Sequence, residues 1–314
     1  MEKQPDVIIP VYKPDSRFLQ LLDKLQEQEC AVNRIIIMNT GQEYFERFID
    51  GTNFYEKYSN VSVYHVSEQE FDHGRTRHLG VEKSTAPYFL MMTQDAIPVD
   101  TQLTSHLMEA LSGEKTAVAY ARQLPADDCG EAERFTRSFN YPEQSCVKSV
   151  EDLPRLGIKT YFCSNVCAAY NRALYEKLGG FIRHTIFNED MIYAAGAVQQ
   201  GLRIAYCATA QVIHSHNYTG AQQIHRNFDL GVSQADHPEV FEGVPSESEG
   251  IRMVRLTAGH LKRIGKSRKI PGLIYVSGCK YLGYLLGKHY RRLPKRLVLA
   301  CTMNKAYWKN QEEK

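Results

Sequence analysis

The chain has no apolar run of about 18 residues, the length a membrane-spanning helix needs, so none is expected. The apolar residues near the N-terminus break off at Pro10, too soon for the hydrophobic core of an export signal. The eight cysteines form no Cys-x-x-Cys pair; the nearest two are Cys163 and Cys167. Without paired spacings or an export signal, free buried thiols are expected rather than disulfides or a zinc knuckle, and the protein is expected to be intracellular. No glycine-rich, lysine-containing phosphate loop follows the first apolar segment, which counts against a nucleotidyltransferase built around one. Zinc-finger and RNP-type motifs, internal repeats and low-complexity tracts are likewise missing.

The 314 residues are 43% hydrophobic and 24% charged, enough chain to bury a sizeable core. The net charge of +2 conceals an uneven distribution. Residues 252–314 hold 16 Lys and Arg against Glu312 and Glu313 alone, a net +14. Residues 1–251 hold 22 basic and 34 acidic residues, a net −12. The inversion follows a turn-rich acidic stretch, His237–Gly250. It predicts two units: residues 1–250, and a basic helical tail over 251–314 that serves membrane association or oligomerisation.

A short β-branched run at Asp6–Tyr12 reads as a strand buried on both faces, Arg34–Met38 as a second buried strand, and Val61–Val66 and Tyr88–Met92 as a third and fourth strand. Helical patterns lie between and after them: one opened by Pro14 and Asp15, then His73–Lys83 and Thr101–Leu111. This alternation predicts an α/β fold with a mainly parallel sheet. In such sheets ligands sit beyond the C-terminal strand ends, which singles out Pro10–Lys13, Asn39–Gln42, Ser67–Arg77 and Thr93–Pro98. Gln123–Ile158 is polar and weakly patterned, and reads as an irregular excursion. Beyond it, helices are expected at Arg172–Leu178, Asn188–Gln200 and about Ala221–Leu230, with short strands at Arg203–Cys207 and Gln211–His214.

Four places can carry chemistry. Asp95 is delivered by an apolar strand to its tip, where a carboxylate either holds a divalent cation or simply caps a turn. Glu189 and Asp190 open a helix, which suits either the helix dipole or a general base. His214 and His216 follow a strand; read as pointing to opposite faces of an extended segment, at most one of the two is expected to serve a given site readily. Phe71–Arg77 combines Gly74 with Arg75 and Arg77 at a helix start, which fits a phosphate cradle or a capped helix.

In this order, the segments DVIIPVYKP, IIIMNTG, FDHGRTRHLG, MTQDAIP, SNVCAAYNRALYEKLGGF, NEDMIYAAGAVQQGLRI, VIHSHNY and QIHRNFDLG resemble the GT-A-fold, family 2 inverting glycosyltransferases. The resemblance runs from Asp6 to about Leu230. FDHGRTR, TQDA and HSHNY are most similar to the rhamnosyltransferase branch, which builds bacterial cell-surface polysaccharides. It implies a GT-A (Rossmann-like) fold and transfer of a sugar, L-rhamnose from dTDP-β-L-rhamnose, to a hydroxyl of a lipid-linked saccharide in cell-wall or capsular polysaccharide synthesis. A UDP-hexose donor is the alternative. The resemblance also implies nucleotide-sugar contacts at Pro10, Val11, Tyr12, Asn39, Thr40, Gly41, Asp72, Gly74, Arg77, Gln94 and Asp95. Asn39 and Thr40 replace the family's usual Asp-Asp, and His78 replaces the asparagine that usually follows Arg77. Thr93-Gln94-Asp95 keeps only the second acid of Asp-x-Asp. Asp95 is therefore the implied ligand of Mg²⁺ or Mn²⁺, joined by His216, with His214 as the other option. Asp190 matches the catalytic base, and Glu189 assists it. Ser164, Asn165, Gln223 and Arg226 are implied acceptor or phosphate contacts, although Asn227 stands where related synthases have tryptophan.

In the tail, Leu273, Ile274, Tyr275, Tyr281, Leu282, Tyr284 and Leu285 alternate with Lys280, Lys288, Arg291 and Arg292. That composition suits amphipathic helices lying on an anionic membrane surface, which places the enzyme at the inner face of the cell membrane, peripheral and cytoplasmic. A dimerisation element also fits. A nucleic-acid-binding tail accounts for the charge but leaves the strand-end motifs without a purpose, so no nucleic-acid partner is expected.

Overall fold

In the computed structural model, residues 4–243 and 247–309 are described. The extreme N-terminus, Glu312 and Glu313, and positions 244–246 of the acidic stretch lie outside them. Nine strands form one sheet among the described residues: β1 (Asp6–Tyr12), β2 (Ile35–Thr40), β3 (Val61–Val66), β4 (Tyr88–Met92), β5 (Ile97–Pro98), β6 (Thr116–Leu124), β7 (Cys146–Lys148), β8 (Cys167–Asn171) and β9 (Arg203–Ile213). Their order is β3-β2-β1-β4-β8-β6-β9-β5, with β7 also paired to β9. The β1, β2, β3 and β4 pairings are parallel, as is β6 with β9, whereas β8 runs antiparallel to both β4 and β6. The expected α/β sheet is present. Val7, Ile8 and Ile9 are completely buried, and alternate residues feed apolar cores on opposite faces of the sheet.

The helices that matter below are α1 (Ser16–Gln26), α2 (His73–Lys83), α3 (Leu103–Leu111), α4 (Glu131–Asn140), α5 (Glu189–Gln199), α6 (Gly220–Asp236), α7 (Glu247–Arg263), α8 (Ile270–Lys288), α9 (Lys295–Cys301) and α10 (Lys305–Lys309). Asp15 caps α1, accepting from the Arg17 amide at 2.9 Å. Three readings of the sequence change. β6 and α4 take up ground that carries no clear pattern, so the polar stretch after Gln123 is partly regular. The two short strands expected at 203–214 are one strand, β9, because a register shift between Ala121 and Arg122 on β6 absorbs the break at Cys207–Gln211. The helix expected to end near Leu230 runs on to Asp236.

The basic tail folds back onto α6. Close approach is possible because Gly283 has no side chain: a Cβ there would collide with the Ile224 carbonyl. Beyond α8, Val298, Cys301, Tyr307 and Trp308 join Ile186, Phe228 and Val232 in a third apolar core. Asp229 on α6 accepts from the Thr302 hydroxyl at 2.6 Å and from the Met303 amide at 3.0 Å, tying down the segment after α9. The helix α8 is apolar nearly all round. One side packs on α6 through Cys279, Gly283, Tyr284 and Gly287, and the other leaves Ile274, Tyr275, Tyr281 and Leu282 at least half exposed. None of the described helices is long and apolar enough to cross a membrane.

Candidate active site

The sheet register assembles the first cluster. Antiparallel pairing of Ile97 with Ile213 sets the turn before β5 beside the chain leaving β9. The Ala96 amide donates to the Thr93 carbonyl, closing the tight turn that carries Asp95. Gln94 links this turn to the tip of β1, accepting from the Tyr12 amide (2.8 Å) and donating to the Tyr12 carbonyl (3.1 Å). Strand geometry ends at Ile213, and Ser215 accepts from the Ala126 amide. Both histidines then converge on one point. His214 Nε2 and His216 Nε2 are 3.1 Å apart, at 3.6 and 3.3 Å from the two carboxylate oxygens of Asp95. The expectation that only one histidine serves the site fails because residues two apart in an extended segment share a face, so both rings reach Asp95.

His214 is oriented from behind. Its Nδ1 donates to Gln123 Oε1 at 3.1 Å, and Gln123 in turn donates to Ser164 Oγ at 3.0 Å. Arg137 on α4 also donates to Gln123 Oε1, which fixes that atom as the oxygen. The Nε2 lone pair of His214 therefore faces the cluster. Burial holds the His214 imidazolium form down to about 3, so the ring is neutral at physiological pH. Burial lowers His216 as well. Two imidazoles and a carboxylate whose ligating atoms lie within 4.8 Å of one another fit a divalent cation with positions left over for further oxygen ligands. Imidazole nitrogens favour Mn²⁺ over Mg²⁺, which prefers an all-oxygen shell. Replacing Gln123 with Leu is expected to weaken Mn²⁺ binding about 10- to 100-fold by releasing His214, as calorimetric titration of the metal would show.

The second cluster forms where α5 begins. Asn188 adopts the left-handed conformation (φ 65°) and turns Glu189 and Asp190 inward toward the end of β8. Asp190 Oδ2 accepts from the Asn165 amide at 2.9 Å, and Oδ1 from the Met191 amide at 2.8 Å. Glu189 Oε1 accepts from Asn165 Nδ2 at 3.0 Å and lies 3.1 Å from Arg77 Nε, an ion pair rather than a directed hydrogen bond. Both side chains of that pair are less than a tenth exposed. The two acids are driven apart. Burial and the adjacent Glu189 charge push the Asp190 carboxyl up to about 7. Burial also opposes ionisation of Glu189, but Arg77 and His73 outweigh it and hold Glu189 below the ordinary carboxylate range. One acid stays charged, and its neighbour exchanges a proton near neutrality. Asn165 and Ser164, adjacent in the chain, connect this cluster to Gln123 and His214.

The remaining sites divide. Tyr12 is half exposed, packs edge-on to Tyr44 and lies under Lys13 Nζ at 4.8 Å, while its hydroxyl donates to Glu68. Pro10 and Gly41 lie beside it at the tips of β1 and β2, whereas Val11, expected to contact the nucleotide, turns into the apolar core and is buried. Asn39 and Thr40 are buried, and Asn39 Nδ2 donates to the Gly41 carbonyl. The cradle expected at Asp72 and Gly74 is a latch within the protein. Asp72 accepts from the Gly74 and Arg75 amides and pairs with His184, and the space beside Gly74 is filled by the Ile182 carbonyl. Arg226 lies over the rings of Phe187 (4.8 Å) and Tyr218 (5.7 Å), and Tyr218 stacks on His216, which brings Arg226 to the edge of the cation cluster. Gln223 is buried and accepts from Asn227. Sequence reasoning missed Gln123 and Arg137, since a polar stretch without period carries no signal for either.

The glycosyl transferase family 2 profile matches residues 6–179. The O-antigen chain rhamnosyltransferase RfbN of Salmonella typhimurium is 37% identical over 308 residues, covering 97% of this chain and 96% of that protein. WbaN of Salmonella anatum, also an O-antigen chain rhamnosyltransferase, is 36% identical over 309 residues, covering 97% and 95%. Among solved structures, the mannosyltransferase PcManGT from Pyrobaculum calidifontis, in complex with GDP-Man and Mn²⁺, aligns with a TM-score of 0.56 at 14% identity, covering 100% of this chain and 87% of that one. S. aureus TarS in complex with UDP-GlcNAc aligns at 0.53 and 13% identity, covering 92% and 91%. These two likenesses show the fold, a GT-A architecture with an added helical C-terminal part. The chain is a glycosyltransferase and belongs to glycosyl transferase family 2.

Proposed function

We propose that this enzyme transfers L-rhamnose from dTDP-β-L-rhamnose, with inversion, to a hydroxyl of a lipid-linked saccharide in cell-surface polysaccharide synthesis. The observation that carries the reading is a carboxyl poised near neutrality, Asp190, set at one end of a hydrogen-bonded connection whose other end is a cation cluster. Such a site separates the two ends of a displacement. Asp190 takes the proton of the acceptor hydroxyl, whose oxygen attacks the anomeric carbon on the face opposite the diphosphate. Glu189 stays ionised, keeps the Asp190 proton affinity high and fixes Arg77. Asp95, His214 and His216 would hold a divalent cation, Mg²⁺ or Mn²⁺, which when bound would supply positive charge against the leaving diphosphate. Arg226, held by two aromatic rings, adds a fixed charge nearby. The strand tips at Pro10, Tyr12 and Gly41 receive the base. Support for rhamnose comes from the two named relatives, whose similarity extends over nearly the whole chain. A screen of nucleotide sugars with Mn²⁺ and a saccharide-capped lipid acceptor tests the donor. Transfer from dTDP-rhamnose is expected; transfer from UDP-glucose alone would replace the sugar and leave the family in place.

The tail is proposed to hold the enzyme on the inner face of the membrane. Ile274, Tyr275, Tyr281 and Leu282 occupy one exposed stripe of α8, near Lys266, Arg268 and Lys269 and ending at Lys288. Replacing both Ile274 and Leu282 with Asp is expected to reduce co-sedimentation with anionic vesicles about tenfold, since each loses apolar burial and adds a repelled charge. Unchanged, salt-insensitive sedimentation would reject the role.

A further inference from the structure

A groove of about 1120 Å³ runs between α4, α6, α7 and α8, larger than the usual small-molecule pocket of roughly 300–1,000 Å³. Three features say what it takes. His216 and Tyr218 line it, so it reaches one member of the cation cluster. Its walls are the apolar faces of α7 and α8, with Val254, Leu273 and Val276 among the lining side chains. Its outer lip includes Ile251, Ile274 and Tyr281, which are more than half exposed and continue into the apolar stripe of α8. Arg255, Lys269 and Lys280 also line it, whereas the acids on the opposite wall are engaged by cations: Glu131 with Lys266, and Glu133 with Arg137.

We propose that this groove binds the hydrocarbon chain of the acceptor, with the phosphate that joins chain to saccharide lying among the basic side chains. The inference rests on the reading that the acceptor is lipid-linked, and it assigns that lipid a place. A continuous apolar path from the exposed stripe to the cation cluster lets an amphiphile enter from a membrane with its chain first shielded and its saccharide directed inward. The exposed lining is mainly apolar although Asn140, Asn217, Asn227 and Gln234 also border it, and that balance suits a hydrocarbon chain better than a saccharide alone.

The test uses the full chain and farnesyl phosphate as probe, without any sugar donor. Calorimetry is expected to show saturable one-to-one binding of farnesyl phosphate and none of inorganic phosphate. Val254→Trp and Val276→Trp fill the groove from two different helices, and each is expected to weaken that binding at least tenfold. Thermal melts identify a variant that has lost its fold, and the wild-type titration stands whatever the variants do. Failure of the wild-type protein to bind farnesyl phosphate overturns the proposal, as does equal binding by correctly folded filled variants. Vesicle binding without saturable farnesyl phosphate binding also overturns it, assigning the apolar surface to the bilayer alone. Because no donor is present, these outcomes are separate from the sugar-transfer reading. Rhamnose transfer to a soluble saccharide by a protein that ignores farnesyl phosphate would leave that reading standing and remove this one.

Discussion

Replacing Asp190 with Asn is expected to lower kcat by about 10³-fold or more, because a positioned base typically contributes 10²–10⁴ and no second unpaired acid adjoins it. Glu189 cannot substitute. It is committed to Arg77 and Asn165, and its carboxyl sits below the ordinary range, which makes it a poor proton acceptor. The substitution should leave the fold intact. Asn keeps one acceptor for the Asn165 or Met191 amide and removes a buried charge. The pH dependence follows from the same shift. Asp190 must be ionised to act as base, so kcat/KM is expected to rise with pH and level off above about 7. For stability the sign is opposite. A carboxyl that binds its proton more tightly in the folded state than in the unfolded chain favours folding at low pH. That contribution is lost as pH climbs from its ordinary value of 3.8 through about 7, and Asp190→Asn removes the dependence. Single-turnover transfer at saturating donor checks the rate, and a flat pH profile for the wild-type enzyme would be incompatible with Asp190 as base.

Asp95→Ala is expected to have the other large effect. It removes the only carboxylate of the cation cluster and leaves two neutral imidazoles, which hold Mn²⁺ far more weakly than a charged set. Several kcal/mol of leaving-group stabilisation depend on that charge, which converts to about 10³-fold in transfer rate. Titration of Mn²⁺ into protein without donor separates binding from chemistry. Affinity should fall about 100-fold or more, and addition of dTDP should recover only part of it, since the nucleotide brings oxygens of its own. Unchanged Mn²⁺ affinity would remove Asp95 from the cluster. His214→Ala should resemble Asp95→Ala in the titration, which distinguishes a two-histidine cluster from one served by His216 alone.

The parallel half of the sheet was legible because its strands are short apolar runs, β-branched in β1 and β2 and separated by helical patterns. The limits of β1, β3, β4 and α2 follow directly from those runs and from the capping residues beside them. The more mixed half was not, since β6, with Lys115 before it and Arg122 and Gln123 within it, lacks a clean apolar period. Asp190 and Asp95 were recognisable from their motifs, but each could equally have been a capping residue. Their environments support the proposed roles: burial beside Glu189 in one case, two neighbouring imidazoles in the other. The charge inversion near residue 250 marked where the chain changes character. It did not reveal that α8 packs through glycine on α6.

By itself, the sequence determined the fold class, the strand-end positions where chemistry is placed and the uneven charge, because each depends on local patterning or composition. The pairing of His214 with His216, the orientation of His214 by Gln123 and Arg137, the division of labour between Glu189 and Asp190, and the groove beside them were decided only in three dimensions. Each of these depends on the direction of a side chain after the backbone leaves regular structure, or on the burial that residues distant in sequence impose, and neither quantity is local.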